Sequence, residues 1–216
     1  VAIRLVILDF DGTLADTQPL IIDSMQSTIR ELQLPARSDA ECRAMIGLPL
    51  KECFMRLLPI DDVVGDRCVE VYRRIFDEKN HNGVVKLFSH VMETLREMHE
   101  RGLLLAICSS RGRPTLEGFV KSFHLESYVS MVVSANDVQY GKPHPEPVRL
   151  ILQKLAVAAE EAMVVGDASY DILMGCAAGC RTCGVTYGNQ SAAELKAAGA
   201  ELLIDDFAEL TRILGL

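Results

Sequence analysis

The chain has no basic run and no stretch where basic residues interleave with aromatics; its 22 Lys and Arg are outnumbered by 30 Asp and Glu, for a net charge of −8. A nucleic-acid polymer needs a positive track for its backbone, so it is not expected as a partner. Long apolar stretches are missing too. Runs such as Leu103 to Cys108 fall far short of the roughly twenty residues that span a bilayer, and no charged-then-apolar leader precedes the first strand-like segment. No membrane partner and a soluble, cytoplasmic protein are expected. The chain opens at Val1 rather than at methionine, which implies a natural start that is trimmed or processed. A disulfide framework is also lacking: the seven cysteines at 42, 53, 68, 108, 176, 180 and 183 are odd in number, and a chain this long needs no staples. Cys176 and Cys180 fit one helix face and Cys183 follows a glycine turn, but no fourth ligand stands at zinc spacing. Buried, reduced thiols are the expectation.

What is present is enough apolar material for a core. At 216 residues and 49% hydrophobic content, the chain suits one good-sized domain or a domain carrying a smaller insertion. Near its start, Leu5-Val6-Ile7-Leu8 runs into Asp9-Phe10-Asp11-Gly12-Thr13. An apolar strand buried on both faces ends in charge only where its carboxyl end opens onto solvent, a metal or a ligand, because an unpaired buried carboxylate is costly. Alternation along a strand would put Asp9 and Asp11 on one side, within reach of one reacting centre. Two solvated aspartates at a strand end are the plainer alternative.

After Thr17, the apolar residues Ile21, Met25, Ile29 and Leu32 recur at helical spacing until Pro35. Ser38 to Glu41 has the spacing of a capping box, and helical stretches follow around Lys51 to Leu58 and Val63 to Lys79. No strand is expected between 18 and 87. From about Ser89 the pattern alternates: strands at 103–108, 131–134, 162–165, 182–185 and 201–204 separated by helices, which is the grammar of a parallel sheet covered on both faces. The first strand belongs with that region. The expectation is therefore an α/β core, a Rossmann-like doubly wound parallel sheet formed by 1–15 and 87–216, interrupted by an all-helical insertion at 16–86.

In open parallel sheets, ligands sit outside the carboxyl ends of the strands. Strand one ends at Asp9 and Asp11, the 103–108 strand at Ser109 and Ser110, and the 162–165 strand at Gly166-Asp167 with Asp171 beyond; Gly141-Lys142-Pro143 follows the 131–134 strand. Singly, Ser109 and Asp171 read equally as helix caps and Lys142 as a solvated loop lysine. Together they form a complementary set. Hard carboxylate oxygens suit magnesium beside a substrate phosphate, while Lys142, the Ser109 hydroxyl and backbone amides after Asp11 can neutralise the charge on that phosphate. One carboxylate can act as nucleophile and a second as acid and base.

These motifs, Asp9-Phe10-Asp11-Gly12-Thr13, Ser109, Lys142 and Gly166-Asp167 with Asp171, resemble those of the haloacid dehalogenase superfamily, in its phosphatase branch with a helical cap inserted after the first motif. The resemblance covers essentially the whole chain. It implies Asp9 as nucleophile, Asp11 as acid and base, Ser109 and Lys142 on the phosphate, and Gly12 and Thr13 near the substrate; Ser110 and then Arg111 depart from the Asn or Thr that commonly follows the hydroxyl, and are read as contacts to phosphate or a substrate carboxylate. It also implies magnesium on Asp9, Asp167 and the Asp11 carbonyl, with Asp171 bracing Asp167 or a metal-bound water. The helical insertion would be a mobile cap that excludes water, its loop Ile46-Gly47-Leu48-Pro49 bearing on recognition with Arg43 and Lys51 beside it. Family dehalogenases lack the second aspartate, and mutases of this branch usually carry Gly-Val and Glu-Asp where this chain has Gly12-Thr13 and Gly166-Asp167. A magnesium-dependent phosphatase for a small phosphorylated metabolite, similar to phosphoglycolate phosphatases, is implied, with pyrophosphatase, nucleotidase and hexose-phosphate mutase as alternatives, in a monomer or homodimer.

Overall fold

Strand β1 (Leu5–Leu8) carries four fully buried apolar residues in a row, and such a strand must be covered on both faces. The computed structural model, which describes residues 2–81 and 83–216, meets that demand. Val1 and Asn82, which fall within the expected 1–15 and 16–86 segments, lie outside the described residues. Beyond β1 come β2 (Ala15–Asp16), the helices α1 (Gln18–Glu31), α2 (Asp39–Ala44), α3 (Leu50–Leu57) and α4 (Asp62–Lys79), and then β3 (Lys86–Leu87). The alternating half follows as α5 (Val91–Glu100), β4 (Leu104–Cys108), α6 (Arg113–Ser122), β5 (Met131–Val133), α7 (Glu146–Leu155) and β6 (Ala162–Gly166). It closes with α8 (Ser169–Ala178), β7 (Arg181–Val185), α9 (Ala192–Ala197), β8 (Leu202–Ile204) and α10 (Glu209–Leu214).

Six strands form one sheet in the order β5-β4-β1-β6-β7-β8, every pairing parallel. This is the doubly wound α/β core expected from the alternation. Val6 and Leu8 point into one apolar cluster with Leu105, Ile107 and Val165, while Leu5 and Ile7 point into the other with Ala106, Val148 and Val164, the period-two consequence of the strand pleat. The register sets Leu8 opposite both Ile107 and Val165. Asp9, Ser109 and Asp167 therefore leave neighbouring strands at one edge.

Between β2 and β3 the chain is helical. Ile21, Ile22, Met25 and Ile29 of α1 join Cys68, Tyr72 and Phe76 of α4 in the larger cluster, as the helical spacing of the apolar residues requires. The Ser38 capping box forms as read, with Ser38 Oγ accepting from the Glu41 amide.

Three expectations need correction. A strand does lie before residue 87: Lys86–Leu87 pairs antiparallel with Ala15–Asp16, each arm too short to leave a periodic trace. Strand β1 stops at Leu8, so Asp9 and Asp11 follow the strand rather than lie on it, though both border one cavity as expected. Cys180 is not on the helix with Cys176, because Gly179 at φ +81 ends α8 in the left-handed conformation that glycine adopts without steric cost. All seven cysteines are free thiols, and Cys176 alone is exposed.

Candidate active site

Asp9 follows β1 directly, held by its amide, which donates to the Val165 carbonyl at 2.9 Å. Its carboxylate is 4% exposed and accepts from Lys142 Nζ at 2.5 Å. The same ammonium donates to Asp171 Oδ1 at 2.6 Å, and Lys142 is 2% exposed, so the solvated-loop reading of this lysine does not hold. Asp171 does two things. Its second oxygen accepts from the Ala168 amide at 3.1 Å, capping α8, while the first faces Lys142. Asp167 is braced from the opposite side: Oδ2 accepts from the Asn189 amide at 2.6 Å and from Asn189 Nδ2 at 2.5 Å, and Oδ1 from Thr13 Oγ1 at 3.2 Å.

Asp9, Asp167 and Asp171 bring carboxylate oxygens within 4.8 Å of one another, all three buried. Three acids face one lysine there. Burial pushes the Asp9 carboxyl well above its usual range, with Lys142 opposing and Asp171, Asp167 and Asp11 adding to the rise. Burial, and then Asp171, push Asp167 up to about 7. Burial pulls Lys142 down, but Asp171 and Asp9 outweigh it and hold its ammonium above the ordinary range. Buried negative charge in excess, carried by hard oxygen donors, fits a hard divalent cation.

The Asp11 carboxylate lies elsewhere. A single oxygen, Oδ1, accepts from Thr17 Oγ1 at 2.6 Å and from Arg111 Nε and Nη2 at 2.9 and 2.7 Å. The guanidinium lies against two rings, 4.6 Å from the centroid of Phe76 on α4 and 5.1 Å from that of Phe119 on α6. Burial would lower the pKa of Arg111, but Asp11 outweighs it and the net shift is upward. The structure thus puts the Arg111 cation on Asp11, at the border of the cavity where the sequence reading looks for a substrate contact.

Gly12 and Thr13 each have a protein partner at this edge. The Gly12 amide donates to the Ala15 carbonyl at 2.9 Å within the turn. At φ +86, and with an added Cβ only 2.2 Å from Asp167 Oδ2, position 12 admits glycine alone without a shift of the acid cluster. Thr13 braces Asp167, and its carbonyl accepts from Tyr187 Oη at 2.8 Å. Ser109 Oγ accepts from the Arg111 amide at 3.2 Å, a local turn bond, and does not cap α6, whose N-cap is Gly112.

Ser110 Oγ donates to the Gly47 carbonyl at 2.7 Å, fastening the helical segment to the sheet edge. Gln18 Nε2 to Asn189 Oδ1 at 2.7 Å and Tyr170 Oη to the Ala44 carbonyl at 3.3 Å add to that docking. Between the two lies a cavity of about 670 Å³ bordered by Asp9, Asp11, Gly47, Ser110 and Arg111. Ser109 and Lys142 border a smaller space of about 90 Å³ beside it. Arg43 is exposed, and Lys51 binds Asp62 and Asp66, each at 2.8 Å. Thr17, Asn189 and Tyr187 escaped the sequence reading. Asn189 and Tyr187 follow the carboxyl end of β7, so asking of that strand what was asked of the others would have found them.

A family profile of haloacid dehalogenase-like hydrolases matches residues 6–185. Pyrophosphatase PpaX of Anoxybacillus flavithermus is 33% identical over 214 residues, covering 99% of this chain and 98% of the relative. Phosphoglycolate phosphatase of Salmonella typhimurium is 31% identical over 236 residues, covering 99% of this chain and 93% of the relative. The crystal structure of a predicted phosphatase from Clostridium acetobutylicum superposes with a TM-score of 0.90 at 25% identity, each chain covered in full. The chain belongs to the haloacid dehalogenase-like hydrolases.

Proposed function

We propose that the protein is a magnesium-dependent phosphatase of the cytoplasm that hydrolyses a small-molecule phosphomonoester through an aspartyl-phosphate on Asp9. The reading rests on one observation above the rest: Asp9 and Asp11 border the same cavity while their carboxylates keep separate partners, Lys142 for one and Arg111 with Thr17 for the other. Two acids in different surroundings suit two roles. Asp9 attacks phosphorus as the bond to the leaving oxygen breaks, and Asp11 gives that oxygen its proton. Water then attacks the same phosphorus, Asp11 takes the proton back, and the Asp9 carboxylate leaves.

Asp9, Asp167 and the Asp11 carbonyl would hold magnesium, which when bound offsets the repulsion between the acid cluster and a phosphate dianion. Lys142 and the Ser109 hydroxyl hold phosphate oxygens, and Asp171 keeps Lys142 and the start of α8 in place. Residues 16–86 act as a cap on a core of 1–15 and 87–216, with the β2–β3 ribbon as its stem. The identity to phosphoglycolate phosphatase supports a phosphomonoester; the identity to PpaX supports pyrophosphate as a second reading. Phosphate release from phosphoglycolate, sugar phosphates, nucleotides and pyrophosphate, with and without magnesium, tests the proposal against Asp9→Asn. Magnesium-dependent release that is lost in the variant is expected. A sugar phosphate that changes isomer without free phosphate would make the chain a mutase instead.

A further inference from the structure

The cavity above Asp9 is the wrong size and the wrong chemistry for a compact dianion alone. Its volume of about 670 Å³ would take about twenty waters at their share of the liquid, within the span of pockets that enclose a ring-bearing ligand. Phosphoglycolate and pyrophosphate would fill a fraction of it. This room remains with the helical segment docked, as the Ser110–Gly47, Gln18–Asn189 and Tyr170–Ala44 bonds record.

The wall facing Asp9 is apolar. Ile21 and Met25 of α1, Leu48, and Val69, Tyr72 and Phe76 of α4 border it, with Tyr72 and Phe76 stacked at 5.7 Å. A second anionic group on the substrate would need a cation there, and two of the three that border the space are engaged. Arg111 is bound to Asp11, and Lys51 to Asp62 and Asp66. Arg73 has no carboxylate within 4 Å among the described residues; it is exposed and lies at the rim beside Gly112, away from the apolar residues of α1. Tyr72, which borders the cavity, adds a polar point: its hydroxyl makes no hydrogen bond to any described residue.

Resting on the phosphatase reading above, we infer that the substrate is a monophosphate whose leaving alcohol carries a flat, uncharged ring with hydrogen-bonding edges, as a nucleoside or an aryl alcohol does. The phosphate sits on Asp9 and the ring lies along Tyr72, Val69 and Met25. Hydrolysis then follows the same balance, phosphoryl to Asp9 and proton to the ring-bearing alcohol.

The test is kcat/KM for nucleoside 5′-monophosphates, an aryl phosphate, phosphoglycolate and pyrophosphate, all with magnesium, in the wild type and in Val69→Arg. Val69 is only half-buried, so a thermal melt is expected to show the variant folded. A nucleotide or the aryl phosphate is expected to exceed phosphoglycolate and pyrophosphate by about ten-fold or more, and the two ring arms tell nucleoside from aryl recognition. In Val69→Arg the new cation should narrow that ratio by about ten-fold, mainly through KM. Phosphoglycolate or pyrophosphate as the best wild-type substrate would overturn the inference and leave the phosphatase reading standing. Release from no compound would overturn both.

Discussion

The floor and the roof of the cavity follow opposite rules. The floor, at the carboxyl edge of the sheet, packs Asp9, Lys142, Asp167 and Asp171 where none is more than 4% exposed, each tied by hydrogen bonds to neighbours on other elements. The roof, from α1 and α4, is mostly aliphatic and aromatic, and the ion pairs at its edge, such as Lys51 with Asp62 and Asp66, are open to solvent. Surface pairs of that kind contribute little to stability, whereas truncating one partner of a buried pair leaves an uncompensated charge. On the proposed function the floor carries the chemistry, where a lost partner is costly, and the roof carries selection and can be altered by degrees.

The largest expected effect is on the floor. Asp9→Asn should lower magnesium-dependent phosphate release by about a thousand-fold or more, without loss of the melting transition, because burial already disfavours the Asp9 carboxylate. Lys142→Ala comes next. It leaves Asp9 and Asp171 without their shared ammonium, and urea unfolding should show a stability loss of about 3 kcal/mol together with a fall in kcat.

A variant between floor and roof sharpens the contrast. Arg111 touches Asp11 from the floor side and Phe76 from the roof. Arg111→Gln should reduce kcat by about a hundred-fold, the scale of an acid–base contribution, with KM changed far less. A raised KM at unchanged kcat would return Arg111 to the substrate role the sequence suggested.

The smallest effect is one of pH and metal on stability. Asp167 is pushed up to about 7 in the folded chain against an ordinary carboxyl when unfolded, so the folded state binds more protons between those limits. Without metal, the contribution of Asp167 to stability should be fully present below its unfolded value and be lost as pH rises through about 7. Added magnesium should raise Tm more at pH 8 than at pH 5, because the cation binds the ionised acids. A magnesium-induced rise in Tm that is no larger at pH 8 than at pH 5 would contradict the fit of the acid cluster to a cation.

Much of this was legible in the chain because it is local. Val6 and Leu8 against Leu5 and Ile7 announce a strand buried on both faces, and the residue after each apolar run names most of the floor. Contacts between distant segments were not legible. Arg111 lies 100 positions from Asp11, and Asn189 lies 22 from Asp167; nothing in their local sequence says which carboxylate they meet. The β2–β3 ribbon, two residues to an arm, is too short for any period to show. Sequence marks the chemistry at strand ends, and packing decides which partner each charge receives.

The most direct test of Asp9 as nucleophile is the mass of the peptide containing it, taken by acid quench after Asp11→Asn is mixed with magnesium and an activated aryl phosphate. That leaving group needs no protonation, while breakdown of the intermediate has lost its base. The account predicts a phosphoryl group on Asp9, at near-stoichiometric level, that disappears slowly as phosphate is released. Phosphate released while that peptide stays unmodified throughout would contradict it.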